Sequence, residues 1–229
     1  MTFTRYAIYY VPGADAPWSR FATQWLGWDM ALGQPVPHPD IADLDISPLT
    51  ETPRKYGLHA TLKPPMRLAP NHSADALRAA CETLAKSRAP VTLDGLQLTR
   101  IGRFLALGAI GDTSDLNRLA AACVTELDQY RAAPSKEEQT RRVRPNMSQA
   151  HLANLAQWGY PHVLDHFRFH ITLTGKLPKP RLLQVETLLK DRLAPLLPVP
   201  YILSQIALVG EAADGRFHLI EQFKLTGQA

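Results

Sequence analysis

The sequence predicts an α+β protein built from two related halves, and three observations lead to this. A short tetrad occurs twice, as His59-Ala60-Thr61-Leu62 and as His170-Ile171-Thr172-Leu173. Each tetrad is followed by the same predicted order of helix, strand, turn and strand. A Gly-Arg-Phe triplet also opens the last predicted strand of both halves, at 102–104 and 215–217. A duplication of this kind places equivalent residues about a pseudo-twofold axis, so we expect the two tetrads on equivalent strands.

The elements of the first half follow from apolar spacing and from turn residues. An apolar stretch at 6–11 predicts an opening strand, and the first tetrad predicts a second strand. Apolar residues at helical spacing predict a helix at about 73–88. After Pro90, the stretches 91–99 and 104–110 read as two strands joined by a turn at 101–103.

The second half repeats this order. The second tetrad predicts a strand, and leucines and a valine at helical spacing predict a helix at about 180–193. Past Pro198 and Pro200, the stretches 201–209 and 216–225 predict two strands around a turn at 213–215. Each half has only three or four strands. We therefore predict one bilobal domain over 1–229, with lobe 1 at about 1–128, a connector at about 129–146 and lobe 2 at about 147–229.

Each tetrad presents one imidazole and one hydroxyl together. Side chains alternate faces along a strand, so a His and a Thr two positions apart share a face while the apolar second and fourth residues enter the core. Two such strands facing each other would gather two acid/base groups and two hydroxyl donors, which suits chemistry on a phosphate. The alternatives are hydrogen-bonded core histidines and ordinary β-branched strand threonines.

The paired tetrads within duplicated halves resemble the two-histidine phosphoesterase superfamily, which includes cyclic phosphodiesterases and RNA 2′,5′ ligase-like enzymes. The resemblance implies a bilobal duplicated fold, with two antiparallel sheets flanking a central cleft and helices outside. Neighbouring residues resemble a branch of uncharacterised proteins associated with bacterial phosphonate-utilisation operons. These neighbours are Arg54-Lys55-Tyr56-Gly57-Leu58 and Lys63-Pro64-Pro65 around the first tetrad, and Trp158-Gly159-Tyr160-Pro161, Phe167-Arg168-Phe169 and Thr174-Gly175 around the second.

These features lead us to expect a metal-independent phosphoesterase that hydrolyses a cyclic phosphodiester of a small sugar phosphate or nucleotide. His59 and His170 would act as general acid and base, in either assignment, and Thr61 and Thr172 would bind the phosphate. The resemblance points to phosphonate metabolism. The alternatives are an RNA-end 2′,3′-cyclic phosphodiesterase or 2′,5′-ligase-like enzyme, and a module that binds a nucleotide or RNA end without turnover.

Three nearby polar residues are candidates for substrate contacts. Arg168 lies two positions before His170 and shares its face on a regular strand. Lys63 is four positions after His59 and shares that face unless Pro64 has ended the strand. Tyr56 would face the other way unless the strand begins after Gly57. Tyr6 and Tyr9 would either line the cleft or fill the core.

Other features of the sequence limit the alternatives. We expect no cofactor and no metal, because there is no glycine-rich phosphate loop or dinucleotide fingerprint, and the pair His162 and His166 precedes an extended segment rather than lying on a helix. The net charge of +4 suits an anionic ligand. The basic run at 141–144 is interpreted as a solvated connector, with phosphate contact as the alternative.

The cellular setting is also an expectation. There is no apolar run long enough for a membrane span and no secretion signal. Cys81 and Cys123 fall in predicted helices among apolar neighbours, which favours buried thiols and a reducing cytoplasm. We expect a small phosphorylated substrate as the partner, with an RNA end as the alternative, and we expect no association with a membrane.

Overall fold

The computed structural model describes residues 2–145 and 147–228. The strands are β1 (Arg5–Tyr10), β2 (Trp28–Asp29), β3 (Gln34–Pro35), β4 (Ala60–Met66), β5 (Val91–Leu93), β6 (Gly95–Ile101), β7 (Phe104–Ile110), β8 (Ile171–Thr172), β9 (Tyr201–Leu203), β10 (Gln205–Glu211) and β11 (Phe217–Lys224). The α-helices are α1 (Pro17–Leu26), α2 (Ser47–Arg54), α3 (Ala74–Lys86), α4 (Ser114–Glu126), α5 (Lys136–Arg142), α6 (Gln149–Trp158) and α7 (Lys179–Leu193).

Seven strands form one antiparallel sheet in the order β11-β10-β1-β4-β8-β7-β6. Two short ribbons, β2-β3 and β5-β9, stand beside it. Helices α3, α4 and α7 pack against the sheet, on β10 and β11, on β4, and on β6 and β7 respectively. The α+β class predicted from the sequence is confirmed. None of the helices in the described ranges is both long and apolar enough to cross a membrane.

The two tetrad strands lie side by side at the centre of the sheet. β4 and β8 are joined at the pair Ala60 and Ile171. On one side of this pair lie β1, β10 and β11, and on the other lie β7 and β6. The two predicted antiparallel sheets therefore meet edge to edge at the tetrads, and each histidine immediately precedes one of these two neighbouring strands.

The C-terminal hairpin of each half is exchanged between the two sides of the sheet. The first-half hairpin, β6-β7, adjoins the second tetrad strand through β7, whereas the second-half hairpin, β10-β11, adjoins β1 and through it the first tetrad strand. Each side of the sheet therefore combines strands from both halves of the sequence. The repeat remains visible in two features. The first strand of each hairpin is interrupted at an equivalent position, at Asp94 between β5 and β6 and at Ser204 between β9 and β10. The short strands before these breaks, β5 and β9, pair with each other.

The main core lies between the sheet and the helices. The apolar tetrad residues Ala60, Leu62, Ile171 and Leu173 are all buried there, as strand alternation predicts. Cys81 and Cys123 are buried free thiols, which confirms the expected burial of the two cysteines. On the opposite face of the sheet a smaller apolar cluster includes Tyr9, Trp28, Val209 and Phe217, and the histidines of the tetrads face this side.

Candidate active site

A cavity of about 410 Å³ opens on the face of the sheet opposite the main core. Its lining includes both histidines and both threonines of the tetrads, so the structure gathers the four residues that the sequence singled out around one space. The remaining lining residues come from many segments: Arg5, Tyr9, Thr52, Pro53, Tyr56, Pro64, Pro65, Phe104, Arg142, Tyr160, Thr174, Gly175 and Lys176.

The two imidazoles are held in the same way. His59 Nδ1 lies 3.0 Å from the carbonyl oxygen of Gly57, and His170 Nδ1 lies 2.8 Å from that of Arg168. A carbonyl oxygen only accepts, so each Nδ1 is the donor and carries a proton. In a neutral ring Nε2 is then the acceptor, and no described residue hydrogen-bonds to it. Each histidine thus keeps Nε2 for a ligand, in the tautomer that a general base needs.

Burial lowers the pKa of both histidines. For His59 it lowers the pKa to about 4, while the hydrogen bond to Gly57 acts in the opposite direction and the nearby His170 adds a further lowering. The pKa of His170 is also lowered, chiefly by burial and further by the guanidinium of Arg168. The site therefore holds two neutral imidazoles near pH 7, and a bound anion would favour their protonation.

The register of β4 and β8 places each hydroxyl beside the other tetrad's imidazole. Around the antiparallel pair Ala60 and Ile171, Thr61 lies across from His170 and Thr172 across from His59. Directly opposed residues have Cβ atoms about 4.5–5.5 Å apart. A phosphate held between the two imidazoles would thus meet one hydroxyl donor next to each ring.

Cationic side chains border the cavity, and no carboxylate among the described residues lines it. Arg5 is half-buried and donates to Glu211, Nε to Oε2 at 2.5 Å, and this hydrogen bond raises the pKa of Arg5. Arg142, on α5, donates to the carbonyl of Gly159. Lys176 follows the second tetrad. This charge distribution favours an anionic ligand.

Aromatic rings support His59. Tyr9 is buried and stacks on its imidazole, with ring centroids 4.0 Å apart, because Tyr9 pairs with Thr61 across β1 and β4. Tyr56 lies 5.8 Å from the same imidazole. The strand β4 begins only at Ala60, after Gly57 has turned the chain with φ of +68°, so Tyr56 reaches the cavity despite its odd spacing from His59.

Arg168 does not line this cavity. It lines a second cavity, also of about 410 Å³, and the two cavities share Thr61, Pro64, Phe104, Tyr160 and His170. The sequence placed Arg168 on the face of His170, and the structure places its guanidinium near the His170 imidazole, where its charge lowers the histidine pKa.

Lys63 does not line the cavity. This corrects the expectation that Lys63 contacts the substrate. Tyr9 pairs with Thr61 but the preceding Ile8 pairs with Lys63, so β4 carries an extra residue at Leu62. This bulge reverses the alternation after Thr61. Lys63 therefore turns to the helix side, where its buried ammonium donates to the Val124 carbonyl at 2.8 Å and to Asp128 at 3.0 Å.

Sequence reasoning missed Arg5, Phe104, Tyr160 and Lys176 as lining residues. Arg5 and Tyr9 share a face of β1 by simple alternation, a signal that was available once β1 had been paired with β4. Arg142 lies in the basic run for which phosphate contact was the alternative interpretation, and the side chain of Arg141 in that run lies outside what the structure describes.

Three further histidines cluster beside the second cavity. The ring of His151 lies 5.0 Å from that of His162 and stacks at 4.1 Å on that of His166. No group of His, Cys, Asp and Glu within the described ranges is arranged to hold a metal ion. The expectation of a metal-free reaction remains a prediction.

Two curated relatives match about three quarters of the chain. "Ribose 1,5-bisphosphate phosphokinase PhnN" of Janthinobacterium sp. (strain Marseille) is 35% identical over 179 residues, and its namesake from Laribacter hongkongensis (strain HLHK9) is 33% identical over 183 residues. These matches cover 77% and 76% of the chain but only 40% of each relative. The chain therefore spans less than half the length of these relatives.

Several solved structures are similar to the chain over nearly its full length. A crystal structure of LigT from E. coli in the apo form has 16% identity and a TM-score of 0.45, covering 99% of both chains. TT0787 of Thermus thermophilus has 20% identity and a TM-score of 0.44, covering 98% of this chain and all of the other. A structure described as a phosphoesterase has 16% identity and a TM-score of 0.42, covering 98% of this chain and 99% of the other.

One protein family matches most of the sequence. Its description is "Protein of unknown function (DUF1045)", and the match runs over residues 61–218, from the first tetrad's threonine through the second tetrad and into β11. With this match over well more than half of its length, the chain belongs to the DUF1045 family.

Proposed function

We propose that this protein is a metal-independent phosphoesterase that opens a cyclic phosphodiester of a small sugar phosphate or nucleotide. One observation carries the proposal: two imidazoles, each with Nδ1 bonded to a carbonyl, share one cavity with two hydroxyls and no lining carboxylate. Core histidines would bury both ring nitrogens in protein contacts, whereas these leave Nε2 for a ligand.

The geometry supports a two-histidine reaction. Nε2 of one neutral imidazole takes a proton from water as the water oxygen attacks phosphorus. The other imidazole, protonated, gives its Nε2 proton to the ring oxygen as the P–O bond breaks, so the product is a phosphate monoester with a free hydroxyl. Each proton transfer is worth about 10²–10⁴-fold. Thr61 and Thr172 donate to the non-bridging oxygens, whose negative charge grows in the transition state.

His59 is the base and His170 the acid in this direction. His59 is the histidine enclosed by Tyr9 and Tyr56, so its neutral form is the more strongly favoured. His170 lines both cavities and keeps more contact with solvent. In the reverse direction the two roles exchange.

The substrate class rests on size, charge and relatives. A space of about 410 Å³ suits a small phosphorylated metabolite. The curated relatives are named for a ribose bisphosphate, which favours a ribose cyclic phosphate and a role in phosphonate metabolism. We assign no kinase chemistry to this chain, because it spans 40% of those relatives and its sequence has no glycine-rich phosphate loop.

A substrate screen followed by phosphorus NMR tests this function. Ribose 1,2-cyclic phosphate, nucleoside 2′,3′-cyclic phosphates and RNA ending in a 2′,3′-cyclic phosphate are incubated with the enzyme in excess EDTA. We expect a small cyclic phosphate to become a monoester, with turnover unchanged by the chelator. Turnover of the RNA end alone would support the RNA-end enzyme, and binding of all three without turnover would support the binding module. Loss of activity in EDTA, restored by a divalent metal, would contradict the metal-free mechanism.

A further inference from the structure

The second cavity adjoins the first at His170 and is lined by several residues that the first lacks. We call it the second chamber and define it by Phe104, Tyr160, His162, His166, Arg168 and His170. Thr61, Pro64, Phe104, Tyr160 and His170 line both cavities, so the two spaces adjoin around His170, the acid of the catalytic pair. Of the lining of the second chamber, the reaction described above uses only Thr61 and His170, and it gives no role to His162, His166 and Arg168.

The second chamber is lined by basic side chains and, among the described residues, by no acidic ones. Arg168 is exposed, and its side chain has no hydrogen bond or ion pair with any described residue. His162 and His166 also lack a carboxylate partner, and none of the lining residues of the second chamber is acidic. Most other arginines of the described chain do have acidic partners, for example Arg100 with Glu186 and Arg131 with Asp128. A guanidinium and two imidazoles that line one cavity without a carboxylate favour an anionic ligand there.

The three-histidine cluster supports the same conclusion. His166 is backed by the stacked ring of His151, whose Nδ1 is held at 2.8 Å by Ser148 Oγ at the start of α6. Burial lowers the pKa of His162, and the nearby His151 and His166 lower it further. An anion bound in the second chamber would favour the protonated form of His162 and make it a charged donor.

We propose that the substrate carries a second phosphate group, which binds in the second chamber to Arg168, His162 and His166. This inference rests on the proposed function, because it places the cyclic phosphate between His59 and His170. The sugar that bears the leaving oxygen then extends past His170, and the second phosphate is attached to it. The substrate class is a sugar cyclic phosphodiester with a terminal phosphate monoester.

A nucleobase is the competing occupant, since Phe104 and Tyr160 also line the second chamber. Stacking alone would need neither the guanidinium nor the imidazoles. The charge of the second chamber therefore favours the phosphate, and the experiment below separates the two.

Matched substrates test the proposal through kcat/KM. Ribose 1,2-cyclic phosphate, the same compound phosphorylated on carbon 5, and adenosine 2′,3′-cyclic phosphate are compared on the wild type and on Arg168→Gln. The variant keeps the backbone carbonyl that orients His170. We expect the wild type to prefer the phosphorylated ribose by about 10- to 100-fold, the effect of one or two hydrogen bonds to a charged group, and Arg168→Gln to lose most of that preference.

The exposed Arg20 on α1 lines neither cavity, so Arg20→Gln removes the same charge as a matched control and should retain the preference. Equal kcat/KM for the two ribose compounds, or a preference that survives Arg168→Gln, would overturn the second-phosphate proposal even though the phosphoesterase is active. A preference for the adenosine compound would assign the second chamber to a base instead.

A binding measurement keeps the proposal testable if none of these compounds turns over. The ring proton signals of His162 and His166 are followed by NMR over a pH titration, with and without ribose 5-phosphate. We expect the ligand to raise the pKa of His162 and to shift the ring signals of both imidazoles in the wild type, and to do so less in Arg168→Gln. Unchanged titration curves in saturating ligand would reject the phosphate site, whatever the outcome of the activity screen.

Discussion

His59 and His170 occupy equivalent tetrad positions but have different surroundings. Two tyrosine rings enclose His59, whereas His170 borders two cavities. Between the lower and the higher pKa of this pair of histidines lies a pH range in which the two imidazoles together hold a single proton. Because His59 takes up its proton only near pH 4, that single proton resides on His170.

This arrangement predicts an acidic optimum for the free enzyme. The reaction needs one neutral and one protonated imidazole, and both pKa values lie below the ordinary 6.5. We expect a bell-shaped pH profile of kcat/KM, which falls below about pH 4 as His59 is protonated and has its alkaline limb below pH 6.5, where His170 loses its proton. The measurement is kcat/KM on a cyclic phosphate over a pH range from acid to mildly alkaline, at constant ionic strength.

The profile of His170→Ala serves as the control, since it should lose the limb on the alkaline side. The optimum of kcat should lie at higher pH than that of kcat/KM, because the bound phosphate raises both pKa values. A profile of kcat/KM that stays flat from acid into mildly alkaline solution would contradict this assignment of the proton.

The strand β4 shows which parts of the site could be predicted from the sequence and which could not. Alternation alone placed His59 and Thr61 on one face and Ala60 and Leu62 on the other, and the structure agrees. The bulge after Thr61 could not be foreseen, because it depends on how β4 pairs with β1. For that reason Lys63 was placed on the wrong face, although its distance from His59 had been counted correctly.

The bulge makes Lys63 a structural residue, and this predicts its effect on stability. Burial lowers the pKa of the Lys63 ammonium and Asp128 partly restores it. Asp128→Ala leaves a buried ammonium with a single carbonyl partner, so we expect a loss of about 3–5 kcal/mol in the free energy of unfolding. Lys63→Met removes the charge with similar volume, while Asp128 keeps Arg131, and should cost less. Urea denaturation measures both.

Glu82→Ala breaks the exposed ion pair with Lys86 and is the matched control, expected to leave the stability nearly unchanged. If Lys63→Met destabilises more than Asp128→Ala, the side chain contributes mainly through packing. If Lys63→Met keeps its fold but loses kcat, Lys63 acts in the reaction and the correction made from the bulge is wrong.

The exchange of hairpins shows that sequence periodicity does not determine which strands pair when they are far apart in the chain. The sequence placed β7 at the bounds observed and gave both halves the correct order of elements. Periodicity identifies a strand and its buried face but not its partner, so the attachment of β6-β7 to β8 and of β10-β11 to β1 appeared only in the structure. The cavity lining shows the same limit, since Arg5, Arg142 and Lys176 are far apart in sequence.

The exchange predicts that neither half folds alone. A fragment of residues 1–128 would lack β8 and the β10-β11 hairpin, and a fragment of 147–229 would lack β1, β4 and the β6-β7 hairpin. Each would expose the apolar face that the other covers. We expect both fragments, expressed separately, to lack the dispersed amide NMR spectrum of a folded protein, and a mixture to recover it. A well-dispersed spectrum from either fragment would contradict the exchanged arrangement.

The central claim is that His59 and His170 act together on one phosphodiester, and single-turnover rates of the two alanine variants and the double variant test it most directly. We expect His59→Ala and His170→Ala each to lower kcat by about 10²-fold or more, and the double variant to fall by far less than the product, because acid and base serve one transition state. Thr61→Ala and Thr172→Ala should be milder, since each removes one of several donors. All variants should melt near the wild-type temperature. Full turnover by folded His59→Ala or His170→Ala protein, or strictly multiplicative losses, would contradict the account.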